Sequence, residues 1–381
     1  MSGHETTFFS FSNKRPGESL APLPQICVNT NLLGRPLTNL SKGTDYFSRL
    51  TSLLSGRAYT LERFRSDEMR MMIEARLRST EFDFILSDGL YALQNIPNTG
   101  LPIVLNCHNV EYLIVERYSL VEKNPLKKLY AALEASRLRG AEIQACKRTR
   151  IAMVCSAIDQ NALRDICPSL PSTIVPNAVD ADYYKECVAT GTDDERPTLL
   201  FLGGMDWFPN RDAVEYFVRN ILPAVRAEFP RVCFTVAGRN PPPEFVARLA
   251  SSAGIEFTGT VPDMRPYLAA ATLVVVPLRM GSGTRIKILE ACAAGKAVVS
   301  TSVGAEGLEL EPGREILLAD KAAEFARGVV QLLRDSRLRQ SIADAGRRVI
   351  LERYSRLALK SSLDAVISSL NRPTNLPAKR L

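Results

Sequence analysis

The sequence predicts a two-domain α/β protein whose sheets are parallel and covered by helices. Three observations carry this expectation. The chain has 381 residues, more than one ordinary hydrophobic core organises. Short apolar runs alternate with longer stretches of helical periodicity along its length, the rhythm of strand–helix–strand units. Residues 189–196, ATGTDDER, are polar and free of apolar periodicity; they follow the turn-rich segment 176–180 and precede a clear strand. The resulting division is an N-terminal Rossmann-like domain at 1–188, a C-terminal one at 197–353, and a crossing helix and tail at 354–381.

Taken in order, the N-terminal strands are expected at 6–10, 25–28, 82–87, 103–107 and 150–155, short apolar runs bounded by polar or turn-forming residues. Helical patterns lie between them at 45–54, 68–79 and 126–147, the last long and basic. In the second half, strands read at 198–202, 232–236, 255–257, 273–276, 297–300 and 316–318. Helices alternate with them at 212–228, 244–252, 264–270, 285–294, 322–335 and 336–353. The tail from Asn371, with Pro373 and Pro377, reads as unstructured. A doubly wound domain usually opens on a strand, a glycine-rich turn and a helix. Here residues 6–10 lead into the polar stretch 13–22 with no glycine-rich turn. The N-terminal domain is therefore expected to lack its first strand-turn-helix, either because the start lies downstream of the true one or because the chain is a truncated copy.

Composition narrows the function classes. Apolar residues make up 46% and charged residues 23%, an ordinary globular mix that excludes disordered and collagen-like chains. Mean hydropathy is −0.03, and no apolar run approaches the ~18 residues of a membrane span. Residues 1–7 are polar, so no leader is expected and the location is cytoplasmic. The formal charge of +7 suits anionic small molecules, an acidic membrane surface or nucleic acid without choosing among them. Eight scattered cysteines with no C-x-x-C spacing read as free, mostly buried thiols. With only two histidines, zinc and histidine-cluster chemistry lack ligands; no cofactor is expected.

The sharpest segment is 279–300, RMGSGTRIKILEACAAGKAVVS. A strand is followed by Gly281, Ser282 and Gly283, then by Thr284 as the expected cap, then by a helix stopped at Gly295. Ile286, Leu289 and Ala293 are expected to share the buried face of that helix. A glycine loop feeding a helix N-terminus offers unpaired N–H groups to an anion. Arg285 and Lys287 place cations where a first turn prefers acids, and a local rule broken in this way suggests a bound phosphate. Glu290 follows; from spacing alone it reads better as a helix-surface acid paired with Lys287 at i, i+3 than as a ligand for ribose hydroxyls. His108 follows strand 103–107, at the edge where α/β sheets bind ligands. Segment 107–150 carries nine Lys/Arg against five Asp/Glu. Its basic amphipathic helix suits an anionic bilayer and equally a solvated face. No stacking aromatics interleave the basic residues, so nucleic acid is not an expected partner. Asp180 and Asp182 mimic a metal-binding D-x-D, but they sit in a closing turn.

Several ordered segments resemble family 4 glycosyltransferases of the GT-B fold: Leu289 through Val299 (LEACAAGKAVV), Ile174 through Asp180 (IVPNAVD), Leu200 through Met205 (LFLGGM), Val236-Ala237-Gly238, Phe257 through Val261, and Cys107 through Glu111 (CHNVE). The likeness covers about residues 80–350, and its GSGTR-like loop is similar to bacterial surface-polysaccharide transferases. The resemblance implies two Rossmann-like domains facing a cleft. It implies a metal-independent, retaining hexosyltransferase that takes a nucleotide sugar and passes the sugar to a polysaccharide precursor or lipid-linked acceptor. It implies that Glu290 holds the ribose, that backbone around Gly259 and Val261 meets the base, and that the Gly281–Thr284 loop and the turn at Gly203 and Gly204 reach the diphosphate and sugar. His108 would approach the donor sugar or reacting centre. The sequence departs from the pattern in two places. Ser282 stands where many members carry a Glu that contacts the sugar. The Arg and Lys that usually follow the first donor-domain strand fall near Gly204 and Asn210, which are uncharged, with Arg211 the nearest cation. Arg285 and Lys287 are the expected replacements. The same departures support a rival reading, a non-catalytic nucleotide-sugar-binding or scaffold protein.

Overall fold

The computed structural model describes residues 4–12, 27–34, 52, 56–188, 196–250, 254–281 and 283–370. The expected helix at 45–54 (apart from Ser52), the polar segment at 189–195, Ser282 and the tail from Asn371 lie outside the described residues. The chain forms two compact units. One comprises Met1–Met153 and Leu163–Ser172; the other comprises Val154–Ala162 and Thr173–Leu381.

In the first unit, β1 (Thr7–Ser12) and β2 (Asn29–Gly34) pair in parallel as a sheet of their own. The second strand begins at Asn29, beyond the expected 25–28. A separate sheet orders β3 (Ile85–Asp88), β4 (Ile103–Cys107), β5 (Ile151–Val154) and β6 (Ser172–Ile174) side by side in chain order, although Val154, Thr173 and Ile174 at the ends of its last two strands group with the second unit. β3 and β4 are parallel, with Ile85 opposite Ile103. No described strand joins the two sheets. β6, only three residues long, had no sequence signal.

The helix Pro125–Lys147 forms where its periodicity predicts. Asn124 caps it, accepting from the N–H groups of Leu126 and Lys127 at 3.0 and 3.2 Å, and Pro125 occupies the first turn. The helix Glu111–Val121 was not expected. Its N-cap, Val110, offers no side-chain oxygen. The buried Glu142 carboxylate on the neighbouring helix instead accepts from the N–H groups of Glu111 and Tyr112 at 2.8 and 3.3 Å. Glu134 acts similarly on the short helix Tyr59–Glu62, accepting from the Tyr59 and Thr60 N–H groups at 3.2 and 2.9 Å.

The second unit is built on a six-stranded sheet. Its members are β7 (Thr198–Leu202), β8 (Cys233–Ala237), β9 (Ile255–Gly259), β10 (Leu273–Val276), β11 (Val298–Ser300) and β12 (Leu317–Leu318), in the order β12-β11-β10-β7-β8-β9. Every neighbouring pair is parallel. β10 reads Leu-Val-Val-Val and is buried throughout, as a strand covered on both faces must be. Strand order reverses between β7 and β10, which makes their carboxyl ends a topological switch point.

The helical stretch expected at 212–228 starts earlier, at Phe208, and changes pitch. It is α-helical to Tyr216, a π-turn over Phe217–Ile221, and α-helical again over Leu222–Glu228. Pro223 has no N–H to give the preceding turn, and the wider turn accommodates that loss.

The boundary between units differs from the expected one near 190. Val179, Tyr184 and Cys187 belong to the core of the second unit. The Val179 N–H donates to the Tyr354 carbonyl at 2.8 Å, and Asp180 pairs with Arg356 at 3.0 Å. These long-range contacts bind 173–188 to the second unit, although polarity places the sequence break later. The helix Arg356–Leu370 also groups with this unit.

Candidate functional site

At the switch point, the turn after β7 meets the loop after β10. Gly203 adopts a φ of 151°. A Cβ there would stand 2.7 Å from the Asn210 amide nitrogen and 2.9 Å from Lys287 Nζ, so glycine allows both side chains to close on the turn. Lys287 Nζ donates to Asn210 Oδ1 at 2.7 Å and lies 4.3 Å from the centre of the Phe201 ring. Asn210 in turn donates to the Gly204 carbonyl at 2.8 Å. Burial, with the Arg285 guanidinium nearby, draws the Lys287 ammonium down to about 7.

Arg285 is placed differently from the expectation of a first-turn cation. It is the N-cap residue of the helix Ile286–Ala293, it is buried, and it donates to the Gly283 carbonyl at 2.9 Å. Thr284 is therefore not the cap, and no side chain caps this helix. Thr284 Oγ1 is buried with no hydrogen-bond partner among the described residues. Ile286, expected on the buried face, is half exposed; Leu289 and Ala293 are buried. A Cβ on Gly281 would collide with the Arg285 guanidinium, so this glycine lets the cation fold over the loop. Gly307 approaches from the other side, where a Cβ would lie 3.8 Å from Thr284 Oγ1.

Glu290 is not the solvated, lysine-paired acid that spacing favoured. Lys287 turns to Asn210, while the Tyr184 hydroxyl donates to Glu290 Oε1 at 3.0 Å. Burial pushes the Glu290 carboxyl up and the Tyr184 hydroxyl up with it. Tyr184 packs edge-on against Tyr183, with ring centroids 5.1 Å apart. The Arg265 guanidinium lies 4.2 Å from the centre of the Tyr183 ring, and Arg265 is paired with Asp263 at 2.7 Å. Val261 is half-buried after β9, and Gly259 turns there at φ 69° with open space beside it. Arg211 is tied back to the Met205 carbonyl at 2.5 Å and lies over Phe208. The second unit thus gathers Gly203, Gly204, Gly283, Thr284, Arg285, Lys287 and Glu290. Sequence reasoning missed Tyr183 and Tyr184 and noted Asn210 only for its missing charge. Nothing in local spacing marks the tyrosines, because their partners lie some 80 and 106 residues away.

His108 belongs to the first unit. Its Nε2 lies 2.8 Å from Asp88 Oδ1 and 3.1 Å from the Asn106 amide nitrogen. The imidazole holds the Asp88 carboxyl below its ordinary range. A pocket of about 220 Å³ adjoins them, lined among others by Tyr91, Glu111 and Glu142. Tyr91 donates to Glu111 at 2.9 Å. Burial raises the Glu111 carboxyl and pushes that of Glu142 up to about 7.

The second unit is similar to a known family. Its residues 196–335 match the family model described as Glycosyl transferases group 1. A protein of the Klebsiella pneumoniae cps region, described as uncharacterized, is 21% identical over 77% of this chain and 78% of its own length. Phosphatidyl-myo-inositol mannosyltransferase of Mycolicibacterium smegmatis is 31% identical over 182 residues, 46% of each chain. The chain shares the GT-B fold with solved structures. Sucrose-phosphate synthase of Thermosynechococcus elongatus superposes with a TM-score of 0.68 at 16% identity, over 90% of this chain and 83% of that one. Anabaena HepE in complex with UDP-glucose superposes at 0.63 with 14% identity, over 95% and 99%. At such identities these likenesses speak for the fold alone.

Proposed function

We propose that this chain is a glycosyltransferase that takes a nucleotide diphosphate sugar as donor, retains anomeric configuration, needs no metal, and passes a hexose to a glycan or lipid-linked acceptor. The observation that carries the reading is Lys287, a half-buried lysine whose ammonium is held by Asn210 against the Gly203 turn at the switch point. A cation placed where desolvation and the neighbouring Arg285 oppose its charge is explained by an anionic ligand. The acceptor hydroxyl oxygen forms a bond to the anomeric carbon as the bond from that carbon to the diphosphate oxygen breaks. The bonding pair leaves on the diphosphate, which also takes the hydroxyl proton. Negative charge therefore grows on the diphosphate. Arg285, Lys287 and the uncapped helix N-terminus stabilise it more in the transition state than before. Glu290, steadied by Tyr184, receives the ribose hydroxyls.

A lipid-linked acceptor is supported by the helical hairpin of the first unit. Leu120, Leu126 and Leu129 are 70%, 78% and 69% exposed, beside Lys123, Lys127 and Lys128, a surface suited to peripheral docking on anionic lipid. Among the described residues no helix is long and apolar enough to cross a membrane.

Thermal stabilisation by UDP, GDP and ADP tests the donor reading. One nucleotide should stabilise the wild type and lose its effect on Glu290→Ala. At about 100 times its dissociation constant it adds roughly 2.7 kcal/mol. Release of free nucleoside diphosphate from the sugar nucleotide then separates a transferase from a scaffold that only binds.

A further inference from the structure

The turn after β7 is locked in place and carries an exposed tryptophan. Gly238 has no room for a Cβ against the Gly203 carbonyl, and the Met205 N–H donates to the Arg239 carbonyl at 2.8 Å. The turns after β7 and β8 are thereby fastened to each other. A Cβ on Gly204 would collide with Asp206 Oδ1, so glycine lets that side chain fold over the turn, where the carboxylate accepts from Arg239 Nε at 3.2 Å. Trp207 follows, the only tryptophan of the chain. Its N–H donates to the Gly204 carbonyl at 3.4 Å, and its carbonyl accepts from the Asn210 N–H at 3.2 Å. The backbone is held on both sides, whereas the residue is 37% exposed. Among the described residues nothing hydrogen-bonds to its indole N–H or stacks on its rings; the neighbouring Phe208 ring, by contrast, has the Arg211 guanidinium over it. Exposure of one apolar side chain means little by itself, and its position decides what it does.

The hydrogen-bonded partners of the second-unit site form a row. Tyr184 donates to Glu290, and Lys287, one helical turn before it, donates to Asn210. Asn210 donates to the Gly204 carbonyl, and the Trp207 N–H donates to that same carbonyl. A donor with its ribose at Glu290 and its diphosphate at Lys287 still has its sugar to place, and the row ends on Asp206 and Trp207. Their chemistry suits a pyranose. An aromatic face carries partial negative charge and attracts the C–H bonds on one side of a sugar ring. Asp206 and Arg239, both exposed, accept from and donate to hydroxyls. The loop at 281–284 supplies neither a carboxylate nor a ring. We propose that Trp207 is a specificity-determining residue: its indole stacks on the sugar of the donor, and the Asp206–Arg239 pair reads that sugar's hydroxyls. The assignment rests on the donor reading above and adds to it the groups that select the sugar.

A single tryptophan makes the test direct, because the indole emission of the full chain reports on Trp207 alone. UDP, GDP and ADP are titrated beside UDP-glucose, GDP-mannose and ADP-glucose, with thermal stabilisation measured alongside. The nucleoside diphosphate that stabilises the chain should leave the emission nearly unchanged, and its sugar nucleotide should quench it or shift it to the blue. Trp207→Ala, read by calorimetry, should bind that sugar nucleotide about three- to tenfold more weakly and the diphosphate as before. Trp207→Tyr keeps an aromatic face and should recover most of the loss. Equal weakening of both ligands in the alanine variant overturns the proposal, as does unchanged binding of the sugar nucleotide. The emission measurement needs no variant. If a diphosphate binds and its sugar nucleotide alters the emission no further, the role of Trp207 falls and the donor reading stands. If no nucleotide or sugar nucleotide binds, both fall.

Discussion

The two units answer opposite electrostatic problems with opposite side chains. Around the switch point of the second unit, the polar groups folded into the protein include cations, Arg285 and Lys287, with Asn210 and glycine turns shaping the space between them. Around the pocket of the first unit, three acids, Asp88, Glu111 and Glu142, stand with His108, Tyr91 and Asn109, and two of the acids have carboxyls raised by burial. The difference teaches that charge, more than overall fold, separates what two α/β units of one chain are built to hold.

The largest expected effect tests the cationic end. Lys287→Met keeps the packing on Phe201 and removes the charge. Turnover should fall about 10²–10³-fold while the melting temperature holds or rises, because a charge opposed by desolvation and by Arg285 has been removed. Unchanged nucleoside diphosphate release would reject the role given to this lysine. Next comes Tyr184→Phe, which removes the hydroxyl that steadies Glu290 and leaves the ring. Loss of a hydrogen bond to a charged group, about 1.5–3 kcal/mol, should weaken nucleoside diphosphates about tenfold or more. Discrimination against the 2′-deoxy analogues should shrink with it; equal weakening of both would mark a merely structural tyrosine.

A smaller effect concerns protons at the same end. With its ammonium drawn down to about 7, Lys287 is mostly neutral at pH 8 in the free protein, and a bound diphosphate favours the charged form. Binding at pH 8 should therefore take up a proton, and less so at pH 6, as titration calorimetry in buffers of different ionisation enthalpy would show. Absence of uptake at both values contradicts the contact.

The smallest effect tests the acidic end. Glu142 has a carboxyl raised from 4.5 to about 7. The native state therefore binds more protons than the unfolded state between these values, and stability from this group is present below the lower one and lost as pH rises through the higher. Glu142→Gln keeps one acceptor for the helix N–H groups and cannot ionise. Relative to wild type it should gain stability as pH rises from about 5 to about 8, read by urea denaturation. A pH-independent difference would show that the raised carboxyl contributes nothing.

How much of this was legible depends on where each partner lies. β4, β7 and β10 fall on the expected residues because buried parallel strands write themselves as continuous apolar runs. The helix Pro125–Lys147 was legible because its cap is adjacent. The helix Glu111–Val121 was not, because its cap comes from Glu142 on another helix. The glycine loop and its helix were readable around Gly283 and Lys287. Arg285 as a buried cap and Ile286 as an exposed residue were not, since the helix starts one residue later than its pattern suggests.

The sequence by itself determined the two-unit α/β design, the second-unit strands and the segment that carries Lys287 and Glu290. Apolar periodicity and glycine placement are local records of burial and backbone shape, so they survive in one dimension. Only the tertiary structure decided that residues 173–188 fold with the second unit, that Asn210 and Tyr184 aim the lysine and the glutamate, and that acids gather beside His108. Those outcomes depend on desolvation and on hydrogen bonds between residues far apart in the chain, and no local pattern encodes such pairings.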